Sequence, residues 1–82
     1  MYTVEIDFQT EDERIFLTKS EFADATQAAN FATDFIRPYV EKYKVCQGEW
    51  RVYKTDNPEM IERHFKIESL LSLKAKEAAS NV

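Results

Sequence analysis

At 82 residues the chain is long enough for one domain that buries somewhat more than roughly 60% of its unfolded surface, and its 44% hydrophobic and 13% aromatic content excludes a disordered tail. A net charge of −4 argues against nonspecific binding to nucleic-acid phosphates, and a lone cysteine, Cys46, excludes an internal disulfide framework. No apolar run approaches the roughly 20 residues of a membrane span and no basic-then-apolar leader opens the chain, so the expectation is a cytosolic protein in a reducing compartment.

Tyr2, Val4, Ile6 and Phe8 alternate with Thr3, Glu5 and Asp7, the period-two pattern of a half-buried strand. After the acidic stretch Gln9 to Glu13, strand character resumes over Arg14 to Thr18, which predicts an antiparallel hairpin. Neither Gly nor Asn-Gly marks a tight turn, so a loop of about three to five residues is expected.

Ser20 to Tyr43 reads as a long amphipathic helix, capped near Ser20. Four alanines, Ala25, Ala28, Ala29 and Ala32, line its apolar side, and small residues there predict a helix lying close and flat on a sheet. Pro38 removes a donor and clashes with the preceding turn, at about 3 kcal/mol inside a helix, so a bend near Asp34 to Arg37 is expected. Phe31 and Phe35 sit toward one edge of the apolar arc and need a second cover, from a C-terminal helix or another copy of the chain.

Beyond it, Glu49 to Lys54 predicts a third strand. Gly48, the single glycine, reads as a bend ahead of that strand, or as the turn of a short hairpin between Lys44–Cys46 and Glu49–Lys54 that would add a fourth. Thr55-Asp-Asn-Pro-Glu59 is a helix-start signal, and Met60, Ile61, His64, Phe65, Ile67 and Leu71 then follow a helical phase. That phase drifts near Glu68-Ser69, which suggests a separate terminal helix from Leu70 to Ala79, with residues 74–82 fraying.

The expectation is therefore one α+β domain over residues 1–82, with a three-stranded antiparallel sheet, four-stranded if the Gly48 hairpin forms, and helices on one face in the order β-β-α-β-α. Residues 1–36 carry eight acids and two bases, and residues 37–82 seven acids and nine bases, an asymmetry that suits either a polar association surface or an ordinary small domain.

One histidine and one cysteine give no metal-ligand spacing, so neither a metal nor a cofactor is expected. Cys46 with His64 lacks the orienting partner that thiol catalysis needs. A single glycine cannot build a phosphate loop. Trp50 to Lys54 interleaves aromatics with bases, a pattern that could stack nucleobases. Strand alternation, however, puts Trp50 and Val52 on one face and Arg51 and Tyr53 on the other. The leading expectation is a non-enzymatic protein-interaction module that self-associates through an edge strand or an aromatic surface drawn from Phe16, Phe31, Phe35, Arg51 and Tyr53. The competing readings are nucleic-acid binding through Trp50–Lys54 and a small enzyme or ligand carrier using Cys46, His64 and Tyr39.

Overall fold

In a computed structural model that describes residues 1–68, the alternation at the N-terminus becomes β1 (Tyr2–Thr10). Val4, Ile6 and Phe8 are buried on one of its faces, and Glu5, Asp7 and Gln9 turn to the other. The strand is flanked by β2 (Arg14–Phe22) and β3 (Cys46–Lys54), and β3 in turn pairs with β4 (Asn57–Glu68), all antiparallel, in the order β2-β1-β3-β4. One helix, α1 (Ala25–Lys42), crosses the apolar face between β2 and β3. The fold is mixed α+β, with the described elements in the order β-β-α-β-β.

The predicted helix after Pro58 is therefore a strand. Its sequence fits both periods: Met60, Ile61, His64 and Phe65 recur at helical spacing, yet Phe65 and Ile67 also alternate with His64 and Lys66. Tertiary context decides. Without β4 the outer edge of β3 would be unpaired and Trp50 uncovered; with it, Trp50 lies opposite Phe65 and Gly48 opposite Ile67. Proline is tolerated here because Lys54 pairs with Asn57 but Tyr53 with Ile61, so Pro58 lies in an irregular stretch that interrupts the ladder. The expected terminal helix over Leu70 to Ala79 and the fraying of residues 74–82 lie outside the described residues.

Gly48 is not a turn. It sits inside β3 opposite Phe8, and a Cβ there would lie 2.2 Å from the Asp7 carbonyl oxygen and 2.4 Å from Phe8 Cα. Only a residue without a side chain allows this approach of backbones. The fourth strand is thus supplied by residues 57–68 and not by a hairpin at Gly48.

The start of α1 is also later than expected. Ser20 to Phe22 stay in β2, where Phe22 pairs with Tyr2 and Ser20 Oγ accepts a 3.0 Å hydrogen bond from Thr3. Asp24 then caps the helix, its carboxylate accepting from the Gln27 N–H at 2.8 Å. The helix continues past Pro38 to Lys42, with Ala28 and Ala32 fully buried against the sheet and Ile36 beside them. At the other end of the β1–β2 hairpin the loop is three residues, within the expected length. The Thr10 hydroxyl shapes it, accepting from the Asp12 and Glu13 N–H groups at 3.2 and 3.1 Å.

Phe31 and Phe35 find their cover inside the chain. Phe22 from β2, then Phe31, Phe35 and Tyr39 from successive turns of α1 and Tyr43 at its C-cap, form a file of rings with centroids 5.4, 6.0, 5.7 and 6.3 Å apart. Phe8 joins it edge-on to Tyr39 at 5.2 Å. The four-residue spacing along the helix produces this file, since side chains at i and i+4 stand over one another.

Candidate functional site

The sheet has one open face, and the sequence-predicted residues divide between it and the helix side. Phe16, Arg51 and Tyr53 lie on the open face, while Phe31 and Phe35 are half-buried in the aromatic file on the opposite side. The five do not form one surface. Even on the open face Phe16 pairs with Asp7 and Tyr53 with Thr3, which separates them by four residues along β1.

Ion pairs and hydrogen bonds knit this open face strand by strand. Arg14 makes two hydrogen bonds to Asp7, at 3.1 and 2.8 Å, across β2 and β1. Arg51 reaches Glu5 at 3.4 Å across β3 and β1, and His64 Nε2 lies 2.8 Å from Glu49 across β4 and β3. The Arg14 guanidinium holds the Asp7 carboxyl below its ordinary range, and burial with Glu5 alongside pushes the Tyr53 phenol up. A cavity of about 410 Å³ opens among these groups, between Asp7, Arg14, Glu49 and Lys66. Its charges are largely engaged with one another, so the face reads as a self-neutralised lattice, with two large apolar side chains exposed on it, Phe16 at 61% and Ile61, opposite Tyr53, at 51%.

Simple dimensions show where the apolar side is left open. Four strands spaced about 4.8 Å apart span roughly 14 Å between the outer two, whereas one helix with its side chains is about 10–12 Å wide. A single helix cannot cover both margins. On the β2 side the aromatic file fills the gap. On the β4 side it does not, and an apolar groove of about 340 Å³ runs between α1 and β4, walled by Ile36 and Val40 on the helix and by Phe65 and Ile67 on the strand. Phe65 is its lip: one ring face stacks on Trp50, with centroids 6.0 Å apart, yet the side chain is 60% exposed.

The two sheet edges differ as well. β2 is irregular where it passes Tyr2 and Val4, and its Lys19 turns inward, with Nζ 4.7 Å from the Phe31 ring centre. Bulges and inward charges are devices that discourage strand addition. β4 is bulged over its first half, but Arg63–Glu68 runs in unbroken register against Gln47–Val52, and among the described residues no strand lies beyond it. Among the described residues that half-strand is the regular outer edge of the sheet, and it borders the groove. Sequence reasoning missed it because residues 57–68 were read as a helix; the alternation of Phe65 and Ile67 with His64 and Lys66 was the available signal.

The residues considered for chemistry do not converge. Cys46 is buried on the helix side and its thiol is pushed up by that burial, whereas His64 lies on the open face against Glu49. Trp50 is 6% exposed, so its ring is occupied by the core and by Phe65. Among the described residues no cluster of His, Cys, Asp and Glu could hold a metal ion, and no helix is long and apolar enough to cross a membrane. No family model, no curated protein and no solved structure matches the chain.

Proposed function

We propose that this is a non-enzymatic protein-interaction module that self-associates by adding a strand to the Arg63–Glu68 edge of β4. The observation that carries the reading is the coincidence of a regular half-strand, outermost in the sheet among the described residues, with the exposed ring of Phe65 at the mouth of an apolar groove. Strand addition supplies main-chain hydrogen bonds for affinity, and side chains flanking the edge supply selectivity. A groove rim holding Arg37, Glu41 and Lys66 suits a protein partner, since polar rims around apolar centres are the usual anatomy of such interfaces. The separation of Cys46 from His64 by the sheet itself supports the non-enzymatic part. The same reading puts the protein in the cytosol, where a lone thiol stays reduced.

Sedimentation velocity on the full chain from about 10 to about 300 μM tests it by mass action. The expected result is concentration-dependent association that Phe65→Glu removes while far-UV circular dichroism stays unchanged. A monomer throughout, or association indifferent to Phe65→Glu, overturns the reading.

A further inference from the structure

Glu68, the last of the described residues, lines the apolar groove between α1 and β4, and the 14 residues 69–82 follow it. We propose that this segment folds back along α1 and fills the groove of its own chain, with Leu70, Leu71 and Leu73 as the plug, and that the association proposed above competes with this contact. The competition rests on the strand-addition reading; the docking does not.

Direction and reach favour this occupant. Lys42 at the end of α1 leads within four residues to Cys46, and Gln47 beside it pairs with Glu68. The chain therefore leaves β4 near the last turn of the helix. From there Leu70 lies within about 7 Å of Glu68 and Leu73 within about 17 Å, even fully extended. The helix wall from Thr33 to Val40 is about 10 Å long, so the three leucines can reach all of it. A segment tethered this closely meets the groove at an effective concentration of about millimolar, which a second copy in micromolar solution does not match.

Side-chain chemistry agrees with the tether. In the helical reading of Leu70 to Ala79, the three leucines fall within about 160° of the circumference at about 100° per residue. Such an arc meets both walls at once, Ile36 and Val40 on the helix and Phe65 and Ile67 on the strand. Lys74 lies in the same arc one turn on, and its stem can carry the ammonium out to the rim, where Glu41 stands. The plug covers the exposed side of Phe65, whose other side is backed by Trp50. A strand added at the β4 edge draws on the same ring, so each contact weakens the other.

Trypsin reads the docking on the full chain, because Lys74 and Lys76 directly follow the leucines and cleavage tracks the population of the open form. Cleavage at these two lysines is expected to be at least about tenfold faster in the triple variant Leu70→Ser, Leu71→Ser, Leu73→Ser than in the parent chain, and at least about threefold faster in Val40→Ser. One variant loosens the plug and the other the wall. Sedimentation of the triple variant should show association about tenfold tighter, since its competent form is no longer held back by the segment. Unchanged cleavage in both variants overturns the docking, whatever the sedimentation shows. Faster cleavage with unchanged association overturns the competition and leaves the docking standing. Parent and triple variant both monomeric at about 300 μM overturn the strand-addition reading and the competition with it, while the cleavage rates still decide the docking.

Discussion

Gly48 and Asp7 are neighbours across β3 and β1 and illustrate two different kinds of residue-level constraint. Glycine is ordinarily a weak choice inside a strand, and replacing it with alanine normally helps by restricting the unfolded chain. Here the added methyl would fall within 2.4 Å of backbone atoms of Asp7 and Phe8, which cannot swing aside as a flexible side chain would. Gly48→Ala is therefore expected to destabilise by about 3 kcal/mol, the upper end of overpacking costs, read as a lower urea midpoint with unchanged slope. Asp7 works through charge. Its folded value is held below the ordinary 3.8, mainly by its hydrogen bond to Arg14, so its contribution is present above the unfolded value and fades as pH falls through the folded one. Asp7→Asn should lower the melting temperature at pH 7, and the gap to the parent chain should close on acidification below the ordinary carboxyl range. A gap that widened in acid would contradict this account.

Elements were legible in the sequence to the extent that local pattern and tertiary demand agreed. The alternation of Tyr2 to Phe8 survives as β1 because the same residues that favour a strand also meet the helix. The alanine side of α1 was equally readable, since small residues at Ala28 and Ala32 have one obvious use. The start of that helix was not, because Ser20 and Glu21 mimic a cap while Phe22 is claimed by pairing with Tyr2. Residues 57–68 show the same conflict on a larger scale: a proline-led helix signal lost to the unpaired edge of β3. The outer edge of β4 followed that loss out of view, whereas the open-face placement of Arg51 and Tyr53 followed from alternation alone. The aromatic file also needed the third dimension, for Phe22 lies on β2 and meets Phe31 only once the helix has docked. Because Phe35 stands between Phe31 and Tyr39 in that file, Phe35→Ala should cost about 2–4 kcal/mol, combining a partly buried ring with two aromatic contacts. Chemical denaturation measures it directly, and a loss below about 0.5 kcal/mol would show that the file is surface decoration.

For the molecule as a whole, the mismatch between one helix and four strands leaves the β4 side of the apolar face open, and the proposed association would close it. If association closes the β4 side, it stabilises only the folded chain, and the melting temperature should rise with protein concentration. A tenfold increase that leaves it unchanged would argue that the groove is not covered by a second copy. One further property of the backbone bears on how this sequence can change over time. No described residue, glycine included, adopts a positive φ, so the connections at residues 11–13 and 55–56 rest on ordinary geometry open to any side chain. The Thr10 hydroxyl and the carbonyl of Met1, which accepts from the Thr55 N–H at 3.1 Å, hold those connections in place. A saturation-mutagenesis map of this protein should therefore invert the usual landscape: permissive at its turns, and least forgiving at a glycine in the middle of a strand.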